Sequence, residues 1–456
     1  MAPKALLMAT SSDQPEDVLA AVLSRAQAAG ADAADALIYR SVSSAVSVRL
    51  GAVEDIERSE NRDLGLRVLV GRRQACVSTT DYSAGALDEL ADRAVAMAKL
   101  APEDPYVGLA DPSRLARGDA PDLDLTDGLE PSSDDLLARA LACEDAARAV
   151  EGVTNSGGAN ASYGLGQSWL ATTDGFAGAS SGGSHSTSVS VLAGEGTGME
   201  RDYDYDSKTH LSDLRAPEEI GRAAGTRTVR RLNPRELESR RAPVIYEQRL
   251  AGSLLGPLAG AINGGAIARG TSFLKDRLGE AIFPASIAVT DDPFVPRGFA
   301  SRPFDGEGVR PELLRVIDDG RLTTWLTNSA QARQIGIETN GRARRGTGGP
   351  PGSGPTNFDL APGTMSLEEL MADTGSGLYV TDMFGPQVNG NTGDYSVGCS
   401  GFWIEDGAPA YPVSEITIAG NLLEMWAALT PASDFVRHGS RNAPTVRIAQ
   451  MQVAGS

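Results

Sequence analysis

The side chains that could do chemistry are few. Histidine occurs three times, as His185, His210 and His438, and no two lie within one helical turn. A hydrolytic zinc helix needs two imidazoles reaching one ion from one face, with a Glu beside them to take a proton from the bound water. No local arrangement of that kind exists. Three histidines serving the core or the surface are expected over a zinc site assembled from distant residues. The cysteines, Cys76, Cys143 and Cys399, are far apart and show no CxxC spacing, which points away from both a disulfide framework and a zinc ribbon.

Nucleophiles are no clearer. Gly178-Ala-Ser-Ser-Gly182 fits GxSxG, with Ser180 at the nucleophile position and His185 close by. A nucleophile elbow, however, is a sharp turn between a buried parallel strand and a helix. This match lies in a Ser/Gly run ahead of an alternating Ser/Val segment, and it reads as a turn. Cys399, in Gly398-Cys-Ser-Gly401, has no basic neighbour in sequence to lower its pKa, so a small packing role is expected. Gly164-Leu-Gly166 lacks the third glycine of a dinucleotide fingerprint, and no GxxxxGK[ST] occurs. Asp291-Asp292, Asp318-Asp319 and Glu405-Asp406 sit where turns favour Asp for backbone reasons. Between Asn340 and Asn357, Arg342, Arg344 and Arg345 could clamp a carboxylate; the plainer reading is a mobile, solvated loop with scattered charge.

Composition narrows the classes. Asp and Glu number 60 against 41 Lys and Arg, a formal net charge of −19, with no long basic run. Such a surface repels phosphate backbones, so nucleic-acid binding is not expected. The apolar run Ala5-Leu-Leu-Met-Ala9 is short for a signal peptide, and no window is long enough to span a membrane. A reduced, cytoplasmic location is the expectation. The 456 residues suit two or three domains, and 52 glycines imply many turns and close backbone contacts.

The elements that must position these residues divide at a polar junction, Asn233 to Arg241. Residues 1–232 read as an N-terminal α/β domain with antiparallel strands. Its helices are expected at Pro15–Ala29, Ala84–Leu100, Leu136–Val150 and Pro217–Leu232. Strands are expected at Asp35–Leu50, Val53–Glu57, Asp63–Val70, Ala159–Leu165, Ser168–Thr173, Ser186–Ala193 and Met199–Tyr205. Helix, strands, helix, stated twice, suggests an internal repeat. Residues 242–456 read as a domain dominated by antiparallel sheet, with hairpins at Asp318–Gly320 and Glu405–Gly407. The fold class is therefore α+β. One segment of the second domain stands apart: Gly252-Ser-Leu-Leu-Gly-Pro-Leu-Ala-Gly-Ala-Ile262 is apolar and glycine-rich, suited to a helix that other backbone approaches closely.

That segment resembles part of the TldD/PmbA family, also called modulator of DNA gyrase. So do Gly270-Thr-Ser-Phe-Leu-Lys-Asp-Arg-Leu-Gly-Glu280, Pro303-Phe-Asp-Gly-Glu-Gly308, Gly398-Cys-Ser-Gly-Phe-Trp-Ile-Glu-Asp-Gly407 and the run Tyr411–Leu422. The resemblance is to the PmbA (TldE) branch. It implies a pair of related subunits forming a cytoplasmic peptidase that acts on peptides or unfolded segments. In the TldD branch a helix carries HExxxH, binding zinc through its two His, with a Cys ligand near the C-terminus. Here Gly256 stands where the first His would be, Pro257 where the Glu would be and Ala261 where the second His would be. Residues 433–456 contain no Cys. The resemblance thus implies no catalytic residue and no metal in this chain, with zinc in a TldD-type partner and peptide as substrate. Arg342, Arg344, Arg345 and Cys399 are the candidate peptide- or partner-facing side chains. The alternatives are a non-enzymatic homodimeric peptide-binding scaffold and, further off, an independent hydrolase using Cys399 or Ser180.

Overall fold

A computed structural model describes residues 14–118 and 120–455; the apolar run Ala5–Ala9 lies outside the described residues. The first half is built from one unit used twice. Helix α1 (Pro15–Ala28) is followed by strands β1 (Ala33–Arg49), β2 (Ala52–Val70) and β3 (Arg73–Thr79) and helix α2 (Ala84–Leu100). Helix α3 (Ser133–Arg148) is followed by β4 (Val153–Thr172), β5 (Ala177–Ala193), β6 (Glu200–Lys208) and helix α4 (Pro217–Arg230). Local chemistry sets the helix starts. Ser83 caps α2 by accepting from Ala86 N–H, and Ser132 and Asp135 form a reciprocal capping box on α3. Prolines open α1 and α4, where the first turn needs no N–H.

The six strands form one sheet in the order β3-β2-β1-β4-β5-β6. Each unit meanders outward from the centre, where β1 and β4 pair antiparallel from Asp35↔Thr172 to Val48↔Ala159. The repeat suggested by the sequence pattern is thus present as a pseudo-twofold about the β1–β4 seam. Side-chain alternation sorts the two faces of the sheet. On β1, Ala34, Ala36 and Ile38 pack under α1 and α2, and Val46 and Val48 pack under α3 and α4. Leu37, on the opposite face, joins Leu115, Leu170, Phe176 and Val309.

Four strand expectations change. The strands expected at Ala159–Leu165 and Ser168–Thr173 are one, β4, which runs unbroken through Gly166 and Gln167 by pairing with β1 and β5. β2 is one strand, because Arg58–Arg62 continue it with both faces exposed and so need no apolar alternation. β3 was not expected; it is short and sparingly buried, and it forms by pairing with Leu64–Val70. The Ser/Gly run Gly178–Gly183, expected as a turn, lies inside β5, held by backbone pairing with β4.

The second half runs β7 (Arg240–Tyr246), α5 (Gln248–Ala251), α6 (Leu255–Ala261), α7 (Gly264–Ala268), β8 (Val289–Asp292), β9 (Leu314–Asp318), β10 (Arg321–Leu322) and α8 (Ser329–Ile335). It continues with β11 (Ala343–Arg344), β12 (Gly352–Ser353), β13 (Asn357–Leu360), α9 (Leu367–Thr374), β14 (Gly377–Val388), β15 (Asp394–Glu405) and β16 (Ala408–Asn421). It ends with α10 (Leu422–Ala427), β17 (Leu429–Pro431), β18 (Arg441–Asn442) and β19 (Val446–Ala454). One sheet, β16-β15-β14-β7-β19-β17, closes on itself because β16 also pairs with β19 at Thr417↔Ala454 through Ala419↔Gln452. A second sheet has the order β10-β9-β8-β13-β18. Leu254, Leu255, Leu258 and Ile262 share one core with strand residues of both sheets and with Trp426, so the segment around α6 lies at the centre of this half. Among the described residues no helix is long and apolar enough to cross a membrane.

The segment 340–357 is not a solvated loop. Arg342 and Asp291 are both fully buried and pair at 2.9 Å, while Thr356 N–H donates to the same carboxylate at 2.7 Å. Further on, Arg345 forms a buried ion pair with Asp35 of β1, and Thr347 Oγ1 hydrogen-bonds Asp63 of β2. Glycine is required where this segment lands, since a Cβ at Gly65 would overlap the Thr347 backbone. Gly65→Val is therefore expected to lower the unfolding free energy by about 1–3 kcal/mol in denaturant titration. Gly182→Ala, where a Cβ meets nothing within 4 Å, should change it by less than about 0.5 kcal/mol.

Candidate functional site

Helix α6 carries the positions at which the resemblance places a zinc motif. Leu254, Leu255, Leu258 and Ala259 are buried, while Ser253, Gly256, Pro257 and Gly260 form the outward stripe at i, i+3, i+4 and i+7 spacing. Pro257 is tolerated because it falls in the first turn, where N–H groups lack intrahelical acceptors. Ala261 is buried against the core rather than facing outward.

Two glycines of this segment, Gly252 and Gly256, face β18, whereas a Cβ at Gly260 would meet nothing within 4 Å. A Cβ on Gly252, one turn before Gly256, would come 2.7 Å from the Arg441 carbonyl oxygen. A Cβ on Gly256 would come 3.2 Å from the Arg441 guanidinium. Strand β18 therefore lies against this helical segment with its arginine over the first motif position. Gly256, Pro257 and Ala261 offer no donor atom, and a cation stands where a metal ligand would project. Among the described residues no three His, Cys, Asp or Glu side chains group so as to hold a metal ion. The residues present do not fit zinc.

Beside this helix, a cleft runs between the N-terminal sheet and the second half. One cavity of about 490 Å³ has Leu37, Tyr39, Ser168 and Ser180 on the sheet side and Phe299, Arg302, Asp305, Arg344, Arg345 and Ser440 opposite. Tyr39, Ser168, Ser180, Phe299 and Ser301 are shared with a neighbouring cavity of about 460 Å³, whose floor adds Ser41, Ser43, Gly164, Gly166, Gly182 and Ser184. A floor of Ser and Gly leaves backbone and hydroxyls within reach of an extended chain.

Charge is uneven across the cleft. Asp305 accepts from the N–H groups of Glu307, Val309 and Ala343, each at 2.9 Å. Burial, with Glu307 alongside, still pushes its carboxyl up to about 7. Arg302 donates to the carbonyls of Ala343 and Pro355, and burial followed by the repulsion of Arg344 holds its guanidinium down at about 10. Arg344 is exposed at the rim and also donates to the Pro355 carbonyl.

The residues singled out in the sequence are distributed as follows. Arg344 and Arg345 reach the cleft, although Arg345 is committed to Asp35. Arg342 is enclosed with Asp291 and faces neither solvent nor cleft, which corrects the expectation that it could face a peptide or partner. Cys399 is likewise enclosed in the core, and burial pushes its thiol up to about 12, so it is neither a surface contact nor a ready nucleophile. Ser180 lies in β5 opposite Ser168; His185, five residues along the same strand, is about 17 Å away on the other face. Each histidine has its own partner: His185 with Asp127 at 3.2 Å, His210 with Asp124 at 3.1 Å and His438 with Gln248 at 3.1 Å. Sequence reasoning passed over Arg302, Asp305 and Arg441. The first two lie in or beside Pro303–Gly308, which was quoted only for its resemblance, and Arg441 gives no local signal at all.

Comparison with known proteins matches three consecutive family domains to the chain. These are PmbA/TldA metallopeptidase domain 1 over residues 34–98, the central domain over 126–232 and the C-terminal domain over 239–455. Metalloprotease PmbA of Escherichia coli O157:H7 is 38% identical, over 93% of this chain and 92% of its own. A PmbA homologue from Haemophilus influenzae is 34% identical over 90% of each chain. Among solved structures, a candidate modulator of DNA gyrase from Bacteroides thetaiotaomicron superposes with a TM-score of 0.89 at 27% identity, over 97% of this chain and 100% of that one. TldE from Thermococcus kodakarensis, 21% identical, has the same fold, with a TM-score of 0.86 over 96% of this chain and 100% of that one.

Writing a zinc motif back onto α6 should fail. The triple variant Gly256→His, Pro257→Glu, Ala261→His is expected to retain no stoichiometric zinc by mass spectrometry of the dialysed protein. One imidazole meets the Arg441 guanidinium, the other is directed into the core, and no third ligand is at hand.

Proposed function

Because this chain belongs to the PmbA/TldA metallopeptidase family, we propose that it is the zinc-free subunit of a two-chain metallopeptidase. A TldD-type partner supplies the metal and the general base, and this chain completes and gates the chamber in which a peptide or unfolded segment is held. The observation that carries the reading is the emptied helix: Gly256, Pro257 and Ala261 without a donor atom, and Arg441 packed over the first of them. The Ser- and Gly-lined cleft beside that helix supports the peptide role, since an extended chain is recognised chiefly through its backbone, with little demand on sequence. The three cysteines are free, which suits the cytoplasm. The gyrase-modulator description belongs to the structural relative. A net charge of −19 disfavours direct contact with DNA by this chain.

Co-expression with a TldD-type protein tests the assignment. The expected result is a stable complex by mass photometry, with peptide hydrolysis that a chelator abolishes and that this chain does not show when assayed without the partner. A chain that stays homodimeric on mixing, and leaves the partner's activity unchanged, would instead identify a separate peptide-binding scaffold.

A further inference from the structure

The wall of the cleft nearest β18 carries arginines that are in no ion pair, with Asp305 the carboxylate beside them. Arg302 and Arg344 line the cavity, as does Ser440, the residue before Arg441. Among the described residues none of these three arginines is in an ion pair, whereas Arg342 and Arg345, interleaved with them, pair with Asp291 and Asp35. Of the nearby carboxylates, Asp291 is paired with Arg342 and Thr356, while Asp305 accepts from three backbone N–H groups and its charge partly offsets that of Arg302.

Arg302 and Arg344 donate to the same Pro355 carbonyl, so their guanidiniums are neighbours. Arg344, although exposed at the rim, is held below the usual arginine range first by the partial loss of water around its guanidinium and, against the pull of Asp291, by the charge of Arg441. Arg302 is lowered by burial and then by Arg344. Such a chain of like charges is costly where solvent is partly excluded, and a single anion among them would relieve all the repulsions at once. In a protein with 60 acidic against 41 basic residues this is not a general property of the surface. The adjoining floor, with Ser168, Ser180 and Ser301, is neutral and hydrogen-bonding, which suits a peptide rather than a polyanion.

We propose that Arg302, Arg344 and Arg441 form a carboxylate-binding site for a peptide, receiving its free C-terminus while the preceding residues lie along the Ser/Gly floor. The proposal rests on the peptide-chamber reading above and adds to it a direction: the C-terminal end of the peptide lies nearest α6. Planar guanidiniums suit this task because two parallel N–H donors match a carboxylate.

The test is fluorescence anisotropy of a short labelled peptide in three forms: free acid, C-terminal amide, and amide with an added Glu. Each is titrated with the full chain, alone and with its TldD-type partner. The free acid is expected to bind about tenfold or more tightly than the amide, the worth of a charge-assisted hydrogen bond. The Arg344→Gln, Arg441→Gln double variant should bring the ratio close to one while keeping the wild-type melting temperature; buried Arg302 is left untouched. If the Glu-bearing amide recovers the affinity of the free acid, the site stands and also accepts a side-chain carboxylate. Equal affinity of wild type for free acid and amide overturns the carboxylate site while leaving peptide binding intact. Absence of binding in all three forms, with and without the partner, overturns this proposal and the peptide reading together.

Discussion

Asp35 is the buried charge that ties the central strand of the N-terminal sheet to the second half of the molecule. It is 2% exposed and shared between Arg67 of β2 and Arg345 of the segment 340–357. A buried carboxylate without a partner costs several kcal/mol, so each arginine is needed, and one of them comes from the other half of the molecule. The pairing presses Thr347 onto Gly65 and sets the sheet's helix-free face opposite the Phe299–Gly306 stretch. The cleft is the space left between surfaces tied at that edge. One wall is therefore held by an ion pair outside the floor.

A second close approach decides what the cleft can do. β18 is two residues long, but it pairs with β13 at Phe358↔Arg441 and Asp359↔Asn442, which fixes its position. Its backbone touches Gly252, and its guanidinium lies over Gly256. An imidazole at position 256 would need the Arg441 guanidinium elsewhere. The glycine-rich segment is thus a packing element by its contacts, with a cation rather than a donor atom over Gly256.

Much of this was legible in the sequence, where local forces decide. The helices α1, α2, α3 and α4 follow from apolar periodicity and from caps such as Ser83 and Ser132, and they begin and end within a few residues of expectation. The repeated unit was visible as an order of elements. What failed was tertiary. The outer part of β2 shows no alternation because both its faces meet solvent, and the Ser/Gly part of β5 shows none because its open face borders a cavity. Arg342 looked like solvated charge because its partner, Asp291, lies 51 positions earlier; for Arg345 and Asp35 the separation is 310. Arg441 has no local pattern, and only the folded chain brings it to Gly256.

The floor of the cleft is where chemistry and packing separate. At Gly164 and Gly166 a side chain would crowd Ser184 or Tyr39, so glycine there has a structural reason. At Gly182 it has none: φ is not in the left-handed region and nothing lies within 4 Å of the position a Cβ would take. Strand interiors lose stability at glycine, so an open position of this kind is a cost in the free chain. That cost is offset only if something else occupies the space, and backbone exposed along a strand is what an extended peptide can use. A protein that had merely lost its metal would gain by filling such a position with a β-branched side chain. This one keeps it empty, beside arginines that lack anions, in a cleft with one wall held by a buried ion pair elsewhere.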